Sequence, residues 1–200
     1  MAIQMGSLLR DTVVIGASAG GVAALSKLLK GLPADFQAAL LIVLHISPTY
    51  DSRLANILGR QTALPVSAAE DGQQIQRGHI YVARPGIHLM VEGRRMRLVD
   101  GPRINWHKPA VDPLFISAAE QYGPRTIGIV LTGGQSCGTA GLIEIKRRGG
   151  ISIVQDPADA DHPQMPRSAI REAEVDYCLP VGDMASLLTR LVGQPVKRAG

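Results

Sequence analysis

Thr12-Val13-Val14-Ile15-Gly16-Ala17-Ser18-Ala19-Gly20-Gly21-Val22-Ala23-Ala24-Leu25 is the stretch on which the fold turns. Its first four residues are all β-branched and do not alternate with charged ones, which predicts a strand buried on both faces. A glycine-rich turn follows, and then a helical pattern from Gly21 to Lys30. Strand, sharp turn and helix in that order form the opening unit of a parallel α/β sheet. Inside the turn, Gly16-Ala17-Ser18-Ala19-Gly20 fits G-x-S-x-G. Small residues flank such a serine because the turn must expose its hydroxyl without a clash on the neighbouring strand. The helix N-terminus behind it offers backbone N–H groups to a developing oxyanion. Two other readings of the turn stay open on these residues alone. One is a pyrophosphate cradle, although the glycines at 16, 20 and 21 miss G-x-G-x-x-G and the second strand ends on His45 rather than an acid. The other is a purely structural turn.

Outward from this unit the alternation continues. Ala39 to Leu44 reads as a second strand, Asp51 to Arg60 as a helix and His79 to Ala83 as a short strand. Ile87 to Val91 and Arg95 to Val99 read as an antiparallel hairpin beside the main sheet, followed by a loop over Gly101 to Ala110. A helix over Asp112 to Gln121, a strand over Thr126 to Leu131, a helix over Gly138 to Arg148 and a strand over Ile151 to Gln155 resume the pattern. An Asp-, Pro- and His-rich loop over Asp156 to Pro166 precedes a short helix, a strand near Asp176 to Leu179 and a last helix over Met184 to Val192. The expected fold is therefore α/β, a mostly parallel doubly wound sheet with flanking helices and a small antiparallel hairpin excursion.

Composition narrows the classes. With 46% hydrophobic and 19% charged residues over 200 positions, the chain can bury a core without disulfides. The net charge of +4 is mild, and the basic residues are scattered in short clusters, so no nucleic-acid partner is expected. Cys137 and Cys178 match no zinc spacing, and no metal is expected. The start lacks a signal-peptide pattern and the longest apolar run, Ala38 to Leu44, is far too short to span a bilayer. A cytoplasmic protein without membrane insertion is expected.

In open parallel sheets ligands bind beyond the carboxyl ends of the strands. Ser18, His45 and the loop Thr132-Gly133-Gly134-Gln135-Ser136-Cys137-Gly138 each follow an expected strand, so all three can gather at that edge. His45 is the candidate general base for Ser18. A third group should orient its imidazole, yet the loop that could supply one contains no carboxylate.

Several motifs, in order, resemble the CheB methylesterase domain. They are Ile15 to Gly21, His45 with its following proline loop, Glu70-Asp71-Gly72, Gly78-His79-Ile80-Tyr81-Val82-Ala83, His107-Lys108-Pro109-Ala110-Val111-Asp112-Pro113-Leu114-Phe115, Leu131-Thr132-Gly133 and Gln164-Met165-Pro166-Arg167. The resemblance implies a methylesterase domain over residues 12–192, between an N-terminal extension (1–11) and a C-terminal tail (193–200). It implies hydrolysis of γ-glutamyl methyl esters on the cytoplasmic helices of methylated chemoreceptors, with deamidation of some glutamines. Ser18 matches the nucleophile, His45 the base and the Gly134 backbone N–H the oxyanion donor, with Ala19 beside it; no metal or organic cofactor is implied. With only Met1 to Asp11 ahead of the first strand, a member without the family's receiver domain is expected, either stand-alone or an excised domain.

One departure bears on the chemistry. The family places its third triad member, an aspartate, where this chain has Cys137. A thiol is a mostly neutral, weak partner for an imidazole. Asp112, Asp156, Asp159 and Asp161 are the acids in neighbouring loops that could substitute, and Cys137 as an independent nucleophile or as a small packed residue are further readings. Arg84, Trp106, His107, Lys108 and Met165 are expected at the substrate rim. The active esterase has one alternative from another class, a catalytically impaired receptor-binding module of the same fold.

Overall fold

The computed structural model describes residues 9–45 and 53–196. The proline loop after His45 and the first residues of the helix expected from Asp51 lie outside the described residues. Within them, the opening stretch forms β1 (Thr12–Ala17) and α1 (Gly21–Lys30), and β2 (Ala39–Leu44) follows. The chain then runs through α2 (Leu54–Gly59), β3 (Val66–Ala68), β4 (Ile80–Val82) and the hairpin β5 (His88–Glu92) with β6 (Arg95–Val99). Next come α3 (Val111–Tyr122), β7 (Thr126–Val130), α4 (Thr139–Arg147), β8 (Ile151–Gln155), α5 (Gln164–Glu172), β9 (Tyr177–Leu179) and α6 (Val181–Leu191).

The main sheet has the order β3-β4-β2-β1-β7-β8-β9 and every pair in it is parallel. Its central strands are buried along their whole length, as their uninterrupted apolar runs predict. Side chains alternate between two cores. Val13, Ile15 and Ala17 face a core closed by α1, α2 and α6, whereas Val14 faces one closed by α3, α4, α5 and the hairpin. The hairpin forms its own two-stranded sheet, tied to α3 by the Ser117 hydroxyl, which accepts the Val91 N–H at 3.0 Å.

Three boundaries differ from the sequence reading. β3 was not expected: Val66-Ser67-Ala68 is a short, half-buried edge strand with too few residues to show a period. α5 begins at Gln164, inside the expected loop, and α6 begins already at Val181, directly after Pro180. Both ends of the described chain meet: Leu9 bridges Pro195, and the Gly193 N–H donates to the Arg10 carbonyl at 3.0 Å.

The order of strands fixes where chemistry can occur. From β1 the chain moves outward through β2, and later returns to lay β7 on the other flank of β1. The connections therefore diverge between β1 and β7, and that divergence opens a crevice at their carboxyl ends.

Candidate active site

Ser18 leaves β1 into this crevice, and its own N–H donates to the Thr132 carbonyl at 2.9 Å. That bond staples the serine turn to the loop after β7. Thr132 adds a second link, its hydroxyl donating to the Ala19 carbonyl at 3.0 Å and accepting the His162 N–H at 2.8 Å. Gly20 closes the turn at φ 77°, and Asp161 lies against it, so a side chain there would meet both strain and a carboxylate. Gly133 is a closer approach still: a Cβ on it would sit 2.7 Å from Ser18 Cβ and 2.1 Å from Met165 Sδ.

His45 follows β2 beside the serine turn. Ala17 pairs with Leu44 in register and the His45 N–H donates to the Ala17 carbonyl at 3.0 Å, so Ser18 and His45 leave adjacent strands at the same level. Neither ring nitrogen of His45 has a hydrogen-bond partner among the described residues. The imidazole is instead covered by His107, with ring centroids 3.5 Å apart and the planes 5° from parallel. Burial, reinforced by the neighbouring His107 ring, pushes the His45 pKa from 6.5 down to about 3. Burial, with Arg103 nearby, lowers His107 as well. The pair is held neutral, in the state a proton acceptor requires.

Among the described residues, two backbone N–H groups on the loops around the serine turn are uncommitted. Neither the Gly134 N–H nor the Ala19 N–H has a hydrogen-bond partner among the described residues. A Cβ on Gly134 would meet nothing within 4 Å, so this side of the loop opens onto free space. Gln135 follows at φ 67°, a left-handed conformation that is uncommon for a non-glycine residue.

Among the described residues, no carboxylate orients the imidazole. Cys137 is fully buried, and its sulfur accepts the Val111 N–H at 3.3 Å at the start of α3 rather than facing His45. Burial, together with the Asp112 charge, raises its pKa to about 11, so the thiol is neutral. Asp112 is committed elsewhere: one oxygen accepts the Gly138 and Gly141 N–H groups at 3.0 and 2.9 Å, capping α4, and the other accepts the Asn105 amide at 3.1 Å. Asp156 caps the turn at Ala158, and Asp159 binds Gln155 and the Val181 N–H. Asp161 lies over Gly20 and leaves the imidazole nitrogens unpaired. Among the described residues, no group of three or more His, Cys, Asp or Glu side chains is arranged to hold a metal.

The expected rim divides. Trp106 is 79% exposed and His107 lies on His45. Lys108 is tied to Asp100 at 2.7 Å and Arg84 to the Ala69 carbonyl and Glu70, so both are engaged with their own loops. Met165 is a correction: it is fully buried beneath Gly133, because its N–H donates to the Gly133 carbonyl and draws its side chain into the core. Sequence reasoning missed Asn105, whose amide reaches Asp112 seven positions away, and it placed Thr132 in the loop without its links to Ala19 and His162, 113 and 30 positions away. No local pattern carries such a signal.

Comparison with known proteins agrees with this geometry. The family model described as CheB methylesterase matches residues 13–188. A putative protein-glutamate methylesterase/protein-glutamine glutaminase of Leptospira interrogans is 40% identical over 182 residues, covering 90% of this chain and 94% of that protein. The protein-glutamate methylesterase/protein-glutamine glutaminase of Pyrococcus horikoshii is 35% identical over 187 residues, or 92% of this chain and 51% of that one. The crystal structure of the Thermotoga maritima CheB methylesterase catalytic domain superposes with a TM-score of 0.88 at 35% identity, covering 91% of this chain and 98% of that one.

Proposed function

The chain belongs to the CheB methylesterase family, a family of carboxylic-ester hydrolases, and on that premise we propose that Ser18 and His45 demethylate glutamyl methyl esters on the cytoplasmic helices of chemoreceptors. The observation that carries the reading is a convergence at one strand edge: Ser18, an imidazole and the Gly134 N–H, the last two without hydrogen-bond partners among the described residues. Ser18 Oγ adds to the ester carbonyl carbon while its proton passes to His45. The oxyanion that forms is held by the Gly134 N–H, with the Ala19 N–H beside it. Collapse breaks the C–O bond, His45 returns the proton to the departing oxygen, and methanol leaves a glutamyl-Ser18 ester. Water attacks that ester by the same route and frees glutamate and the serine. An amide in place of the ester would release ammonia, which is the deamidation reading.

A second reading is favoured by Cys137 and by the lack, among the described residues, of a partner for either His45 nitrogen. Without a carboxylate the imidazolium formed during attack is poorly stabilised, a loss worth about 10⁴ in turnover in serine-protease triads. The chain would then be a receptor-binding module with little hydrolysis. Methanol release from a methylated receptor fragment separates the two. Release that falls to background in Ser18→Ala establishes the esterase. No release from the parent, with binding intact, leaves the binding module.

A further inference from the structure

Ile104-Asn105-Trp106-His107 forms a tight two-residue turn closed by reciprocal bonds, Ile104 N–H to the His107 carbonyl at 3.1 Å and His107 N–H to the Ile104 carbonyl at 2.9 Å. Both central residues are left-handed, Asn105 at φ 50° and Trp106 at φ 66°. Such turns are the province of Asn-Gly, since an aromatic side chain at positive φ is strained. The strain does not serve the core, because the indole is 79% exposed. An outlier of this kind, maintained without packing, points to use by a partner. The residue that closes the turn, His107, lies flat on His45, so whatever docks on Trp106 is held next to the candidate base.

The far side of the same turn forms one wall of a mostly apolar cleft of about 700 Å³, lined by Met90, Val99, Ile104 and Ile116 together with two carboxylates that are already engaged, Asp100 with Lys108 and Asp112 with the start of α4. Val99 and Ile104 are themselves exposed along it. Arg103 enters the turn, donates to the Trp106 carbonyl at 3.2 Å and has no ion-pair carboxylate among the described residues. An exposed indole, an apolar trough and an uncommitted guanidinium suit an acidic amphipathic helix. Its apolar residues would enter the trough while its carboxylates meet Arg103.

We propose that the Trp106 turn and this cleft are the docking surface for the helix that bears the ester, resting on the esterase reading for the identity of that helix. Docking there fixes the register in which one glutamyl ester after another can reach Ser18. Trp106 is the chain's single tryptophan, so its fluorescence reports contact directly. The test titrates Ser18→Ala with a tryptophan-free methylated receptor helical fragment, alongside methanol release by the parent. A saturating blue shift of the indole emission is expected. A second expected result is that Trp106→Ala lowers kcat/KM for the fragment by about tenfold or more relative to a small glutamyl methyl ester, mostly through KM. Emission that keeps its solvent-exposed position while the parent releases methanol overturns the docking surface and spares the esterase. A blue shift with no methanol from the parent supports the docking surface and sinks the esterase.

Discussion

His45, the candidate base, concentrates the unusual electrostatics of this site in one ring. Its nitrogens have no partner among the described residues, its face is covered by His107, and its pKa is held near 3 by burial and then by the neighbouring imidazole. A general base works in its neutral form, and a lowered pKa extends that form to lower pH. The acid limb of kcat/KM is therefore expected far below 6.5, with the rate maintained down to about pH 5. His107→Ala removes a covering ring and the neighbour that disfavours a protonated His45, so the limb should move up towards 6.5. A parent limb already at 6.5 would contradict this account. The same physics makes His45 a weak base, and Cys137 offers no remedy while neutral and bonded to the Val111 N–H. Cys137→Asp should raise methanol release by roughly 10²- to 10⁴-fold and move the limb upward, since a carboxylate favours the imidazolium. Unchanged kinetics in that variant would mean the loop does not turn the new acid towards His45.

α3 and α4 meet where the site is supported rather than where it reacts. Gly141 lets them approach, since a Cβ there would lie 2.4 Å from Phe115 Cβ. Gly141→Ala should cost about 1–3 kcal/mol through overpacking, read from the urea midpoint. Asp112, at the first turn of α3, satisfies two N–H groups at the start of α4. Asp112→Ala leaves both buried and unpaired and should cost about 2–4 kcal/mol. An unchanged midpoint with abolished turnover would instead make Asp112 the missing acid. The hydrophobic pattern made α3 and α4 legible to within a few residues. Their contact was not legible, because the capping carboxylate lies 26 and 29 positions from the groups it caps.

The molecule as a whole is braced at the opposite end of the sheet from Ser18. Asp11, 4% exposed, accepts from Arg77 and Arg125 just before β1 begins. Arg77 is half exposed and water can solvate it once Asp11 is gone, so Asp11→Ala should cost about 1–3 kcal/mol through the lost charged hydrogen bonds. Methanol release by the folded fraction should stay unchanged, because the clamp touches nothing at the carboxyl edge. A drop in turnover without a drop in stability would refute that separation. Acid should destabilise the fold by a different route. His45, His79 and His107 all have lowered pKa values through burial. Below about 6.5 the unfolded chain takes up protons that the folded chain refuses, so stability falls as pH falls through that window. The urea midpoint is expected to drop between about pH 7.5 and pH 5, with net proton uptake on unfolding.

Local chemistry was enough to read the opening strand, the serine turn, the alternation of strands and helices and the candidate pair Ser18 and His45. Period and turn composition are properties of neighbouring residues, and they survive folding. The gap at Cys137 was equally visible, because a residue type is plain in the chain. Tertiary structure decided the rest. It laid His107 on His45, turned Cys137 to Val111, spent Asp112 on a helix cap, drew Met165 from the expected rim into the core and raised Trp106 on a strained turn. Each of those outcomes depends on which distant groups the parallel sheet brings within hydrogen-bonding or van der Waals range. Such distances come from packing, to which spacing along the chain gives no guide.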